Sequence, residues 1–360
     1  MRRTLAATVL ALSTAASVSA SVPASVSASV PAQVAPARRG ATGSLTAITA
    51  ENTAENAAGR EARSVPDGGT GEAAGGGRFG GRGGAAGNAG RAKVGIGVVG
   101  LTSDQRLVAF DIRFPGRVRD LGGISGLQGD TGIVGIDYRV RGGELYGVGD
   151  QGGVYTLGGA GKATKVSQLT VALSGSAFGV DFDPAADVLR VVGDTGQNLR
   201  HDLEGPVAAE GPTALTTTGR TVADRPLTTT PVPPATAPVA APGVSGIGYT
   251  NNDLSAATAT ALFDVDTTTD RLGLQSPADA GLLTPTGNLR VAVTDPAGFD
   301  VYSSLRGGVT VSNSAFATLK VAGRYRLYGL NLLTGAVNYN YGAFPAAHQV
   351  VDIAVRLDRR

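Results

Sequence analysis

Four aspartates stand at the centre of similar apolar triplets: Ile136-Asp137-Tyr138, Val180-Asp181-Phe182, Phe299-Asp300-Val301 and Val351-Asp352-Ile353. A fifth triplet, Ile247-Gly248-Tyr249, has glycine at the same place. If the triplets are equivalent strands of one closed array, four carboxylates converge near its axis. Such an oxygen-rich set suits a hard cation, and Ca²⁺ is the one it would take. A structural role competes: a buried carboxylate demands hydrogen-bond donors, and the backbone of the neighbouring repeat can supply them. The residue pattern favours the structural role, so no cofactor is expected, with Ca²⁺ at Asp137, Asp181, Asp300 and Asp352 as the alternative.

A second polar set lies in turns. TSDQR (residues 102–106) holds Asp104 and Gln105, DQGG (150–153) holds Asp150 and Gln151, and DTGQN (194–198) holds Asp194, Gln197 and Asn198. Loops on a rigid scaffold commonly carry binding, so these seven residues are candidates for a ligand-binding rim. Asp and Gly are also ordinary turn chemistry, which weighs equally. Nucleophilic catalysis finds little support. There is no cysteine, and the two histidines, His201 and His348, are scattered and read as surface residues. Ser174-Gly175-Ser176 is not a nucleophile elbow, so no catalytic residue is assigned.

These residues must be positioned by a repeat. GIDYRVRGGELYGVGDQGGVYTL, starting at Gly135, returns 44 residues later as GVDFDPAADVLRVVGDTGQNLRHDL, starting at Gly179. A β-type recurrence at this period is the mark of a propeller or related array. Alternating strand–turn–strand segments recur at residues 107–118, 154–166, 262–274 and 327–337. The first lacks an inner strand before it, and the last inner strand, near residues 350–355, lacks an outer element after it. The expected fold is therefore an all-β, five-bladed propeller-like ring, with the C-terminal strand completing the first blade and removing open edges. Six blades or an incomplete ring are the alternatives, because residues 253–261 make a poor second strand and residues 302–316 run long. Residues 204–244, with LTTTPVPPATAPVAAPG, are expected to be a surface insertion unable to supply a strand ladder.

LSGSAFGVDFDPAADVLRVVGDTGQNLRHDL (residues 173–203) carries a more specific signal, with VGLTSDQRLVAFD (99–111), GIGYTNNDLSAATATALFDVD (246–266) and Phe299-Asp300. Together they resemble bacterial domain-of-unknown-function family 4394 over roughly residues 95–355, the Thr/Pro-rich insertion being a departure. The resemblance implies a propeller-like repeat domain, often with an export signal. It implies no activity and transfers no catalytic residue.

The rest of the chain bounds the setting. Residues 1–20 combine Arg2-Arg3, an apolar stretch and small residues ending Val18-Ser19-Ala20, the pattern of a secretory signal peptide. Residues 21–92 are rich in Ala, Ser and Gly and are expected to be a disordered linker. The remaining residues 93–360 hold 22 cationic against 24 acidic side chains, so no basic face for nucleic acid is implied. No segment is long and apolar enough to span a membrane. The reading is an exported, monomeric, non-catalytic binding or surface-interaction module, secreted or attached to the cell envelope. Its partner is an extracellular protein, a glycan or a small molecule. A metal-dependent hydrolase or lactonase using the aspartate ring, and a structural envelope component, are the rivals.

Overall fold

The inner-strand triplets build a ring of five blades, each with four antiparallel strands and one of them widened to a six-stranded sheet, seen in a computed structural model that describes residues 95–204, 219–231 and 236–359. The expected signal peptide and linker lie outside the described residues, as do residues 205–218 and 232–235 of the insertion. Blade one contributes β1 (Gly97–Thr102), β2 (Arg106–Asp111) and β3 (Arg119–Gly123). Blade two is β4 (Ile133–Tyr138), β5 (Leu145–Gly149), β6 (Gly153–Leu157) and β7 (Ala163–Gln168). Blade three is β8 (Phe178–Asp183), β9 (Val188–Gly193), β10 (Asn198–Asp202) and β11 (Arg220–Ala223).

Two short strands, β12 (Thr228–Thr229) and β13 (Val239–Ala240), precede blade four. That blade is β14 (Val244–Tyr249), β15 (Leu262–Asp266), β16 (Arg271–Gln275) and β17 (Leu282–Asn288). Blade five is β18 (Gly298–Arg306), β19 (Val309–Val321), β20 (Arg324–Leu330) and β21 (Val337–Ala343). The last strand, β22 (Val350–Val355), pairs antiparallel with β1, Gly100 facing Ile353, and becomes the inner strand of blade one. The ring is thus closed by the C-terminal strand, and the count is five. Among the described residues no helix is long and apolar enough to cross a membrane.

The strands alternate, yet both faces of most of them are buried, because each blade is sandwiched between two others. β5 and β14 are buried at every residue. The apolar side chains form five clusters, one at each interface between neighbouring blades, so no blade owns a core. Val108, Phe110 and Ile353 of blade one meet Phe316 and Leu327 of blade five in one of them. Near the axis the strands approach so closely that a side chain is excluded at defined places. A Cβ on Gly179 would lie 2.7 Å from the Ile247 nitrogen, and one on Gly298 would lie 2.4 Å from the Asp352 Cα. A glycine two residues before the central position recurs in four of the five inner strands (Gly135, Gly179, Gly246 and Gly298).

Two expectations need correction, and one irregularity finds its cause. The insertion does supply strands: Arg220–Ala223, free of proline and carrying Thr221 and Val222, is the outer strand of blade three, and Thr228–Thr229 pairs in parallel with β17. Edge positions tolerate such sequences because only one side of the backbone must be paired. Residues 262–274 are the second and third strands of blade four rather than the third and fourth, since residues 250–261 form a long first-to-second connection with no strand in it. Residues 302–316 run long because β18 and β19 extend past the sheet as a hairpin that turns at Gly307-Gly308.

Candidate functional site

Antiparallel winding fixes two faces. In each blade the chain enters the inner strand and makes its second-to-third turn at one end. The first-to-second connection lies at the other. Asp137 and Asp181 stand toward the second end of their inner strands, Asp352 at mid-strand and Asp300 near the start of the long β18; the second end is the aspartate face.

There the inner strands are laced together. Asp352 Oδ2 accepts a hydrogen bond from the Ile136 amide at 2.8 Å, and Asp137 Oδ2 accepts from the Phe182 amide at 2.8 Å. Asp181 accepts from the Tyr249 amide, and Asp300 Oδ2 from the Val355 amide at 2.5 Å. Each carboxylate therefore ties its strand to the next blade: one to two, two to three, three to four and five to one. Gly248 breaks the series, and blade four joins blade five through the Ser245 hydroxyl, which accepts from the Ala297 amide at 2.9 Å.

The same carboxylates also converge. One oxygen each of Asp137, Asp181 and Asp300 lies within 4.8 Å of the others, and all three side chains are buried. Burial pushes Asp137, Asp181, Asp300 and Asp352 upward, Asp300 to about 7, and neighbouring carboxylates raise Asp137, Asp181 and Asp352 further. Like charges this close in a dry interior cannot all ionise, so the cluster must share protons or hold a cation.

On the opposite face the expected rim is built into the ring. Gln105 of blade one donates to the Ile133 carbonyl at 3.0 Å and accepts from the Ile133 amide at 2.7 Å. Asp150 accepts from the Thr131 amide at 2.8 Å and from its hydroxyl. Asp194 does the same for Ser176, at 3.0 and 2.6 Å. Gln197 bonds the Ser174 amide and the Ala172 carbonyl. These turns clamp the connections between blades, which is what their polar side chains do in this structure. Asp104 and Gln151 are exposed. Asn198 is buried, not at a rim, accepting from Arg190 Nη1 and donating to the Arg225 and Ala278 carbonyls.

His201 is also buried, contrary to a surface placement. It lies between β7 and β11, its Nε2 2.8 Å from the Ser167 hydroxyl and its Nδ1 2.9 Å from that of Thr221. His201 shares the inward face of β10 with the buried Leu199, while Arg200 and Asp202 take the exposed face, which leaves the histidine no route to solvent. Burial lowers its pKa to about 4. Paired with hydroxyls on both nitrogens, it lacks the acid a triad requires.

Three features carry no sequence motif. Arg190, in the middle of β9, is buried against Asp224, Asn198 and the Tyr249 hydroxyl. Asp264 in β15 is 1% exposed, and neither of its oxygens has a hydrogen-bond partner. The third is a cleft of about 590 Å³ on the aspartate face. Its walls are Val140 after β4, Leu254 after β14, Leu305 on β18, and Leu357 and Arg359 after β22. Its polar side chains are largely engaged. Asp253 accepts from the Thr310 amide and hydroxyl and the Ser255 amide, and Asp358 from the Leu305 amide. Leu254 is left 62% exposed. The signal available in sequence was an apolar residue in each first-to-second connection, too sparse to read without the ring.

None of the curated proteins matches the chain. Among solved structures, the dihydro-heme d1 dehydrogenase NirN in complex with DHE is similar at 12% identity, over 68% of this chain and 63% of that one, with a TM-score of 0.27. A likeness that slight says nothing about chemistry here. The family model for a domain of unknown function, DUF4394, matches residues 106–354, from the third strand of the first blade to within the closing strand, and the chain belongs to that family.

Proposed function

We propose that the protein is an exported, non-catalytic binding module that takes its ligand in the cleft on the aspartate face. The observation that carries this reading is the cleft itself. Three connecting segments and the end of β18 present Val140, Leu254, Leu357 and Leu305 around about 590 Å³, a volume suited to a small molecule or one protruding group of a larger partner. Apolar walls with a few placed polar groups are the usual composition of a binding site. Export rests on the residues of the leader.

The test has two parts. Full-length protein carrying a C-terminal tag is followed by cell fractionation, and retention in the cytoplasm would end the export reading. The purified protein is then screened by thermal shift against small apolar compounds and apolar peptides, with Leu254→Asp as control. Hits lost in this variant at unchanged melting temperature support the cleft, and hits that survive it place binding elsewhere. A second reading, a metal-dependent hydrolase, is favoured only by the convergence of Asp137, Asp181 and Asp300. A stoichiometric divalent ion whose removal lowers the melting temperature would promote it.

A further inference from the structure

The axis gathers carboxylates from four of the five inner strands: Asp137 on β4, Asp181 on β8, Asp300 on β18 and Asp352 on β22. The groups facing them are acidic or neutral. Asp183 acts on Asp181, and β14 brings Gly248 and the Tyr249 amide. Arg356 beyond β22 acts on the Tyr138 hydroxyl, and Arg190 binds Tyr249 on the far side of that ring. None of the ion pairs among the described residues includes any of the four aspartates. Yet these carboxylates are the ties between blades, each accepting a backbone amide of a neighbour.

We propose that the axial aspartates form a proton-operated latch, which holds the inner strands together while they share protons and loosens the ring when they ionise. An ionised carboxylate still accepts its amide, so a single charge does no harm. Two or three charges across less than 4.8 Å repel, and the repulsion acts along the directions that separate the blades. The residues that wall the cleft continue these strands: Val140 follows β4 and Asp137, Leu305 lies further along β18 from Asp300, and Leu357 follows β22 and Asp352. Loosening at the axis therefore reaches the cleft first.

The sign follows from linkage. The carboxyls are held above their unfolded values, so the native state keeps protons that the unfolded chain has released, and stability falls as pH rises from about 4 through the raised values, of which that of Asp300 is about 7. His201, with its lowered value, acts oppositely between about 4 and 6.5, so the latch is read above pH 6.5.

The experiment is thermal melting of the full chain from pH 6.5 to 9, with Asp137→Asn, Asp181→Asn and Asp300→Asn beside it. Asparagine keeps an acceptor oxygen and removes the charge. The expected result is a wild-type melting temperature that falls across this window and a flatter profile in each variant, whatever its absolute stability. A purely structural role would shift the curves without changing their slope, and that outcome overturns the latch. A rise in wild-type melting temperature on adding Ca²⁺ at pH 8.5, with loss of the pH dependence, overturns it in favour of a cation. Should the variants not fold, hydrogen exchange of the wild type decides. Protection at Ile136, Phe182 and Val355, corrected for intrinsic rates, falls with pH faster than protection at Val154 in β6, and equal falls refute the latch.

Discussion

Asp264 has a buried carboxyl group with nothing to bond, on the same sheet face as the equally orphaned Gln275 oxygen. Burial raises its pKa well above the usual range, so it is held protonated, with the nearby Arg190 pulling the other way. An unmet polar group of this kind costs about 1–3 kcal/mol, and replacement by an apolar group of like shape removes the cost. Asp264→Val is expected to stabilise the protein by about 1–3 kcal/mol in urea denaturation. A loss instead would mean that Asp264 has a partner in solution. His201 predicts the other sign of pH dependence. With its folded pKa near 4 against 6.5 unfolded, its contribution is complete above pH 6.5 and lost as pH falls through 4, about 3 kcal/mol in all. The difference between wild type and His201→Gln isolates this limb, since the axial aspartates are common to both. A difference independent of pH between 4 and 6.5 would show that the ring is not kept neutral by burial.

At the level of elements, legibility followed the strength of local patterning. The triplets around Asp137, Asp181, Asp300 and Asp352 repeat in register, so all five inner strands and the closing role of Val350–Val355 could be read directly. Arg220–Ala223 could not, because an outer strand needs one hydrogen-bonded edge and little apolar alternation. His201, Arg190 and Asp264 were misread or missed for a related reason. For Arg190 and Asp264, alternation normally marks a solvent face, but in strands packed between blades the polar side is buried too; His201 instead stands on the apolar face of β10 beside Leu199, with Arg200 and Asp202 exposed on the other. The cleft was invisible because its walls come from four segments spread from Val140 to Arg359. One of those segments is testable alone. Asp253 holds the residue 250–261 connection against the β18–β19 hairpin through Thr310 at 2.9 and 2.6 Å and through its own turn at Ser255. Asp253→Ala should release the hairpin while the sheets stand. Faster tryptic cleavage at Arg306, with melting lowered by no more than about 1–3 kcal/mol equivalent, is the expected outcome. Unchanged cleavage would show that the β18–β19 pairing alone keeps the hairpin rigid.

For the whole molecule the decisive fact is that all five apolar clusters lie between blades. A blade removed from the ring exposes both its faces, so no subset of blades has an independent core. This separates a closed ring from an open solenoid, in which terminal repeats can be lost and the remainder survives on nearest-neighbour contacts. Here β22 contributes Val350, Ile353 and Val355 to the interface of blades one and five, and Ala354 to that of blades one and two. It also pairs with β1 from Val98 to Thr102. Deleting residues 349–360 therefore strips two interfaces at once, exposes the inner edge of β1 and removes Asp352 from the axis. Exposed edges of this kind template association with other chains. The expected product has no cooperative melting transition and runs as large aggregates in size-exclusion chromatography. The intact chain should unfold in one step, with calorimetric and van't Hoff enthalpies in agreement. A truncated protein that stays monomeric and melts in one transition near the wild-type temperature would mean that four complete blades and a three-stranded first blade suffice. In that case the C-terminal strand is an accessory rather than the closure of the ring.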